Sequence, residues 1–350
     1  MTVSEAPSIY YALALQTRCH AINKLNASEA RQSINDSIAR IAKQIAAAKG
    51  FIGPDLRLVV LPEYFLTGFP MGDAVDAWAG KAALATDGPE YAALGKICQD
   101  NDLFLSGNVY ELDKNFAGLY FQTSFIIDPG GSVIHRYRRL ISLFAPTPHD
   151  VWDKYLDIYG IDGIFPVTET AIGKLATVAS EEILYPEISR AFALRGAEVL
   201  LHSTSEIGSP QPTPKAIAKR ARAIENQAYL ISANSAGISG IDIPESSTDG
   251  MSGIIDYHGH ILTAAAGGES MVANHALDLH GLRYHRQRPG MANMLSRQRL
   301  ELFRTAVGDD SRYPANTLID AKGKHIVPDR KHFIQTQQAV IATLQKAGLI

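Results

Sequence analysis

The chain has 350 residues, of which 46% are apolar and 20% charged, an ordinary composition for a globular protein. Its formal net charge of −3 gives no electrostatic drive toward nucleic acid or an anionic membrane surface. No apolar run approaches the roughly 18 residues of a membrane-spanning helix, and the first residues lack the basic start of a signal peptide. The two cysteines, Cys19 and Cys98, are too few for a disulfide framework or a cysteine-rich metal site. We therefore expect a cytoplasmic protein.

Strand-like apolar runs alternate with helical patterns along the first half of the chain. The predicted strands are 10–16, 56–61 and 103–110, and the predicted helices are 27–49 and 90–100. A hairpin follows, in which SFIID and SVIHRY flank a Pro-Gly-Gly turn. The alternation of strands and helices predicts an α/β protein.

The second half of the chain repeats this order of elements. The predicted elements are strand 175–179, helix 186–195, strand 198–202, helix 214–226, strand 229–233 and a hairpin of SGIID and ILTAA. We interpret the repeat as an internal pseudo-two-fold, with two sheets face to face and helices outside. No linker divides the chain, so residues 1–311 are predicted to form one domain. Residues 312–350 are predicted to be a tail with a helix, packing on this domain or on a partner subunit.

Three polar residues stand where predicted strands end. Glu63 follows an apolar run and a proline, Arg139 follows the first hairpin, and Ser180 ends the strand at 175–179. Ligands bind at the carboxyl ends of strands in open α/β sheets. An acid placed so close to a buried run must be paired or neutralised. The three residues are therefore candidates for one site, with a loop-capping Glu63 as the structural alternative.

Six segments resemble the nitrilase, or carbon–nitrogen hydrolase, superfamily. VVLPEYFLTGFP resembles its glutamate-bearing segment, and HRYRRL resembles its YRK segment. ASEEILYPEISRAFALRGAEVLL resembles the nucleophile segment, most closely that of aliphatic amidases. KRARAIENQAYLISANSAG, GIIDYHGHIL and VANHALDL resemble the later helix, closing hairpin and last strand. The resemblance covers roughly residues 9–305. It implies a four-layer αββα sandwich, two stacked mixed sheets flanked by helices, that forms a homodimer or larger homo-oligomer.

The resemblance also implies a mechanism and two departures from it. The family uses a glutamate base, a lysine that stabilises the tetrahedral intermediate and a cysteine nucleophile. Glu63 matches the glutamate, whereas Arg139 stands at the lysine position and Ser180 at the cysteine position. A thiol ionises readily, but a serine hydroxyl needs a base to take its proton, and a carboxylate is a weak base for this. Arginine keeps its charge and does not readily donate a proton, although it holds an oxyanion.

Further residues are candidates for binding substrate. Tyr64 and Glu181 adjoin two of the catalytic candidates. His202 and Ser203 end the next strand, and the alternative is that they are polar only because they lie next to a solvent-exposed loop. His149 is a candidate acid or base, with a surface loop histidine as the alternative. The sequence contains no Walker loop and no GxGxxG after a strand, so no cofactor is expected. The paired histidines of the YHGH turn lack a third ligand, so no metal is expected.

Two main hypotheses follow. In the first, the pocket binds a small amide, nitrile or carbamoyl compound with weak or lost hydrolysis, which makes the chain a pseudoenzyme. In the second, the chain is an active amidohydrolase with Ser180 as nucleophile, Glu63 as base and Arg139 as oxyanion stabiliser. A third hypothesis is acyl or amine transfer at the same pocket.

Overall fold

Strands and helices alternate through most of the chain in the computed structural model, which describes residues 9–307 and 312–349. The strands are β1 Ile9–Ala14, β2 Cys19–His20, β3 Leu56–Val60, β4 Phe104–Leu112, β5 Tyr120–Ile127, β6 Val133–Arg138, β7 Thr168–Thr170, β8 Gly173–Ala179, β9 Val199–Ser203, β10 Tyr229–Ala233, β11 Ile238–Ser239, β12 Gly253–Ile255, β13 Ile261–Ala264 and β14 Asn274–Asp278. The α-helices are α1 Ala27–Ile52, α2 Val75–Ala82, α3 Pro89–Asn101, α4 Trp152–Tyr159, α5 Pro186–Leu194, α6 Pro214–Asn226, α7 Leu279–Gln287, α8 Leu300–Val307 and α9 Arg330–Lys346.

The described strands form two large sheets with the same internal plan. The first has the order β14-β1-β3-β4-β5-β6, and the second has the order β13-β12-β10-β9-β8-β7. In the first sheet β1, β3 and β4 are parallel, and β5 and β6 then run antiparallel. In the second sheet β8, β9 and β10 are parallel, and β12 and β13 then run antiparallel. The pseudo-two-fold interpretation of the sequence is therefore visible as matching strand orders.

Apolar side chains hold four layers together. Between the sheets, Leu58 and Val60 of β3 pack with Leu201 of β9 and Ile231 of β10. On the outer face of the first sheet, α1 and α3 supply buried side chains, and α5 and α6 do so on the second sheet. Parallel strands buried on both faces carry near-continuous apolar runs, which explains why they could be predicted from the sequence. The α/β class and the four-layer αββα arrangement are confirmed.

The C-terminal segment packs on its own domain in the part of the chain that is described. Leu318 is fully buried with Phe116, Phe121 and Tyr155. Its backbone N–H donates to the Asp150 carbonyl at 2.9 Å. The predicted helix in this segment is α9. The predicted domain boundary at residue 311 lies outside the described residues, as do residues 1–8.

None of the helices in the two described ranges is both long and apolar enough to cross a bilayer.

Candidate active site

Glu63 lies just beyond β3 and is almost fully buried, with 2% of its surface exposed. Its Oε1 atom accepts a hydrogen bond of 2.6 Å from the Gln122 side chain on β5. Gln122 also donates to Asn108 on β4 at 3.0 Å. The first sheet therefore carries a short line of polar side chains that leads to the carboxylate. Burial of a charged group is tolerated only with such partners.

Arg139 follows β6 directly and is also buried, with 6% exposed. Its Nη1 atom lies 3.4 Å from Glu63 Oε1 and donates to Gln122 Oε1 at 2.8 Å. Its Nη2 atom pairs with Glu181, and its Nε atom donates to the Ile141 carbonyl at 2.7 Å. Burial acts to lower the pKa of the guanidinium, but the neighbouring tyrosine and carboxylates outweigh it and keep that pKa above its usual range. Arg139 is thus a fixed cation.

Ser180 begins the short 3₁₀ turn after β8, and its backbone has a φ of +45°. This left-handed conformation is unusual for a residue with a side chain. His202 on β9 donates from Nε2 to the Ser180 carbonyl at 2.8 Å and contacts Ser232 through Nδ1 at 2.9 Å. Burial lowers the pKa of His202 well below its usual value, so the ring is neutral. Neighbouring strands therefore hold the turn in place.

The Ser180 hydroxyl has a partner that the sequence analysis did not predict. The Nζ atom of Lys215, in the first turn of α6, lies 3.0 Å from Ser180 Oγ. The same Nζ atom reaches Thr204 Oγ1 at 3.3 Å. The Thr204 carbonyl in turn accepts the Glu63 backbone N–H at 3.3 Å. These contacts bring the ends of β3, β6, β8 and β9 to one place, together with the start of α6.

The predicted binding residues have different surroundings. Glu181 pairs with Arg139, and about a third of its side chain is exposed, so it lies at the margin of the cluster. The ring of Tyr64 packs against Tyr110 and Phe69, and burial raises its pKa. His202 and Ser203 are buried, and Ser203 Oγ donates to the Leu61 carbonyl at 2.7 Å. The polar atoms of these last two residues are used within the protein, which makes them supports of the site rather than groups that face a ligand.

His149 lies against the C-terminal segment. Its ring is 5.6 Å from that of Trp152 and 6.2 Å from that of Tyr313. Its carbonyl accepts the Asn316 backbone N–H at 3.0 Å, and burial lowers the pKa of the ring. The loop after β6 carries this residue toward the tail. The role of His149 in substrate binding or as an acid or base stays a prediction.

Comparison with known proteins gives the family. The profile described as Carbon-nitrogen hydrolase matches residues 18–287, well over half of the chain. The chain belongs to the carbon–nitrogen hydrolase family. Formamidases of Bacillus thuringiensis (strain Al Hakam) and Bacillus cereus (strain AH820) are each 29% identical to it over 215 residues. That alignment spans 61% of this chain and 60% of each formamidase, less than two thirds of their length.

Solved structures of this family share the fold. A carbon-nitrogen hydrolase from Helicobacter pylori G27 has a TM-score of 0.62 and 19% identity, and the match covers 86% of this chain and 99% of that one. For Saccharomyces cerevisiae Nit3, a member of the nitrilase superfamily, the TM-score is 0.61 with 18% identity over 82% and 96% of the two chains. A double mutant of the amidase from Nesterenkonia sp. AN1 in complex with acrylamide has a TM-score of 0.58 and 20% identity over 87% and 99%. At these identities the likeness concerns the fold.

A second carboxyl near Arg139, Glu182, is completely buried in this member of the carbon–nitrogen hydrolase family. It accepts hydrogen bonds from the Tyr137 hydroxyl at 2.7 Å and from the backbone N–H groups of Leu140 at 2.7 Å and Ile141 at 3.0 Å. Burial raises its pKa from 4.5 to about 7, although Arg139 and these hydrogen bonds oppose the shift. Glu182 thereby ties the turn after β8 to the loop after β6.

Glu182→Gln is expected to change how stability depends on pH. The folded protein holds a proton on Glu182 that the unfolded chain releases between pH 4.5 and about 7. The contribution of this carboxyl to stability is therefore complete below pH 4.5 and lost as the pH rises to about 7, a change on the order of 3 kcal/mol. Glutamine keeps both contacts to the backbone N–H groups and cannot titrate.

The measurement is the free energy of unfolding in urea of wild type and variant across this range. The buried rings of His135 and His202, whose pKa values are lowered by burial, act in the opposite direction. The difference between wild type and Glu182→Gln isolates the carboxyl, because both proteins contain these histidines. Glu187→Gln, at an exposed site on α5, is the matched control and should leave the difference flat. A Glu182→Gln difference that stays constant with pH contradicts the expectation.

Two site residues were missed from the sequence, and each left a signal. Lys215 stands in the first turn of α6, where a cation opposes the helix dipole. A charge that breaks this rule is a reason to look for a role in a site. Gln122 is a large polar residue within the strand YFQTSFII, which is buried along its whole length. A buried amide in such a strand must find polar partners, and here they are Glu63 and Arg139.

Proposed function

We propose that this chain binds a small amide, nitrile or carbamoyl compound and has lost, or keeps only weakly, the glutamate-dependent hydrolysis of its family. The observation that supports this proposal is the set of partners that Glu63 and Ser180 already have within the protein. Glu63 Oε1 is shared by Gln122 at 2.6 Å and Arg139 at 3.4 Å, while Ser180 Oγ is bonded to Lys215. The proposed base and the proposed nucleophile therefore each have another partner.

Hydrolysis by Ser180 with Glu63 as base is the alternative, and it requires a proton to pass from the hydroxyl to the carboxylate. Glu63 Oε1 already accepts a hydrogen bond from Gln122 and contacts the fixed cation of Arg139. The Arg139 guanidinium does not release a proton to a leaving amine at neutral pH. Both effects act against amide hydrolysis, and neither removes the ability of buried donors to hold a carbonyl or nitrile.

The class of ligand is supported by relatives. The formamidases are named for an amide substrate, and the Nesterenkonia amidase structure holds acrylamide. The alignment with the formamidases covers only 60% of their length, so the identity of the ligand is part of the proposal. Amide, nitrile and carbamoyl groups share a small polarised carbon centre, which suits a site built from few donors.

The test is binding without turnover. Full-length protein is expected to bind at least one short amide, nitrile or carbamate in calorimetry and to show a rise in melting temperature with ligand concentration. Ammonia release should not exceed that of buffer. Ser180→Asn is the localising variant, because asparagine tolerates left-handed backbone and fills the space of the hydroxyl. It should weaken binding about 10-fold, an effect of the size expected for losing one good contact.

Two outcomes contradict this proposal. One is the absence of binding across the whole panel of short amides, nitriles and carbamates. The other is rapid ammonia release by wild type that Glu63→Gln and Ser180→Ala both abolish, which would establish the active amidohydrolase. Retained binding in Ser180→Asn would place the ligand elsewhere on the molecule.

Assembly into a homodimer or larger homo-oligomer is part of the same proposal. The outer helices of the second sheet carry exposed apolar side chains, namely Leu194 on α5 and Ile217 and Ile224 on α6. Apolar side chains on adjacent outer helices suit a contact between copies.

A further inference from the structure

Lys215 is the least explained charge near the candidate site. Its Nζ atom lies 3.0 Å from Ser180 Oγ, 3.3 Å from Thr204 Oγ1 and 3.4 Å from the Ser205 carbonyl. All three neighbours are oxygen atoms of uncharged groups. The Ser180 hydroxyl itself is nearly closed from solvent, since the residue is 4% exposed. An amine and a hydroxyl are thus held in direct contact in a sheltered place.

The other cations around this point are paired with carboxylates. Arg139 has Glu63 and Glu181, and Lys219, one turn further along α6, has Glu206 at 2.6 Å. Within residues 9–307 and 312–349, no carboxylate lies within ion-pair distance of Lys215 Nζ. A structural lysine in a partly buried position is normally neutralised in that way. Lys215 instead directs its amine at the one hydroxyl that stands at the expected nucleophile position.

The backbone of Ser180 supports the same interpretation. A non-glycine residue at φ +45° carries strain that persists only where the surroundings impose it. The surroundings here include the hydrogen bond from His202 to the Ser180 carbonyl. The turn presents Oγ toward the first turn of α6, where Lys215 is held by a helix that Thr213 caps. Both partners are therefore fixed by secondary structure rather than by mobile loops.

We propose that Ser180 and Lys215 form a serine–lysine pair that makes Ser180 an acyl acceptor for esters and thioesters, without Glu63 as base. The inference rests on the proposed pocket, because it assigns a reaction to that site. In its unprotonated form, the Lys215 amine accepts the Oγ proton while Oγ bonds to the carbonyl carbon of the ligand. The bond from carbon to the leaving oxygen or sulfur then breaks, and the Lys215 ammonium returns the proton to the leaving atom. The products are an acyl ester on Ser180 and an alcohol or thiol.

Esters and thioesters suit this pair better than amides. An alkoxide or thiolate leaves more easily than an amine, which must be protonated before the carbon–nitrogen bond breaks. The fixed guanidinium of Arg139 adds positive charge near the developing oxyanion but supplies no proton. The pair therefore provides acyl transfer where the glutamate-dependent route to amide hydrolysis is weak.

The test uses the full chain and 4-nitrophenyl acetate as an activated ester. Wild type is expected to release one equivalent of 4-nitrophenolate in a burst and to gain the mass of one acetyl group. Peptide mapping should place that acetyl group on Ser180. Ser180→Ala should show neither the burst nor the label. Acylation of surface lysines alone, with Ser180 unmodified, overturns the proposal.

Variants of Lys215 separate proton transfer from charge. Lys215→Met and Lys215→Arg should both slow acylation of Ser180 by at least ~100-fold, because neither side chain accepts a proton. Lys43→Met, at an exposed position of α1, is the matched control and should acylate like wild type. Lys215→Ala should regain acylation when propylamine is added, an effect that a merely structural lysine would not produce. Melting temperatures check that each variant is folded.

The outcomes are distinguishable from those of the binding experiment. Wild-type rates in Lys215→Met overturn the pair, and retained rates in Lys215→Arg reduce Lys215 to a fixed charge and overturn its role as base. Failure of the amide panel to bind, with acetylation of Ser180 intact, contradicts the proposed ligand class and leaves the pair standing. Amide binding without any acetylation of Ser180 contradicts the pair and leaves the proposed function standing.

Discussion

The double variant Arg139→Lys/Ser180→Cys is expected to hydrolyse a short amide at least ~100-fold faster than wild type. It introduces the two residue types that the family resemblance implies at these positions. A thiol ionises more readily than a hydroxyl, so a cysteine at position 180 depends less than Ser180 on a strong base for its activation. A lysine at 139 is shorter and narrower than the guanidinium, so it releases the contacts of Arg139 to Gln122 and Glu63. The measurement is ammonia release from the amide that binds wild type most tightly.

The controls for this gain of activity separate the two changes. The rate of amide hydrolysis by each single variant should stay within about 10-fold of the wild-type rate. Each single variant still lacks either the cysteine nucleophile or the lysine, and the expected mechanism needs both. Adding Glu63→Gln to the double variant should abolish the gained activity if that carboxylate is the base. A folded double variant that binds amide and releases no ammonia would contradict the proposal that these two residues account for weak hydrolysis.

Arg139→Met is expected to lower the free energy of unfolding by roughly 3–5 kcal/mol, the usual cost of removing one partner of a buried ion pair. The guanidinium is 6% exposed and contacts Glu63, Gln122 and Glu181. Its loss leaves the almost fully buried Glu63 without its cation. Combining Arg139→Met with Glu63→Gln should recover part of the loss, because the buried charge is then gone. Urea unfolding followed by circular dichroism measures both effects.

A surface pair provides the comparison. Arg57 contacts Asp102 at 2.6 Å, but two thirds of the aspartate side chain is exposed. Arg57→Met should therefore cost no more than about 1 kcal/mol, as is usual for exposed ion pairs. Equal small losses for Arg139→Met and Arg57→Met would show that Arg139 does not hold the site together.

Much of the fold could be predicted because buried parallel strands and amphipathic helices have strong patterns. Helix α6 and strand β10 have the predicted bounds. Helices α2 and α4 were missed for physical reasons. The N-cap residue of α2 is Ala74, which has no side-chain group to cap the helix. Helix α4 is one of several short turns in an aromatic loop. Short helices without caps depend on tertiary packing that a sequence pattern does not contain.

The site could be predicted only in part. Glu63, Arg139 and Ser180 each follow a predicted strand. Because ligands bind at the carboxyl ends of strands in open α/β sheets, these residues could be expected to lie close together. The position of Lys215 could not be predicted, because this residue lies 35 positions after Ser180 in another element, and only the folded chain brings the two together. The loop after β6 has no regular pattern, so the sequence does not predict its path. The ring of His149, which this loop carries, packs against Tyr313 of the C-terminal segment, and its role at the pocket stays a prediction. The periodicity of apolar residues predicts helices and strands, but it does not predict the paths of the loops that bring residues to a binding site.

The left-handed backbone at residue 180 restricts which residue types fit that position without strain. Glycine adopts such a dihedral freely and asparagine tolerates it, whereas most other side chains carry a penalty of about 1 kcal/mol there. The least costly replacement for a nucleophile no longer in use is therefore glycine, which would make the molecule more robust. This chain has a serine there instead, so the position carries a hydroxyl at the cost of backbone strain.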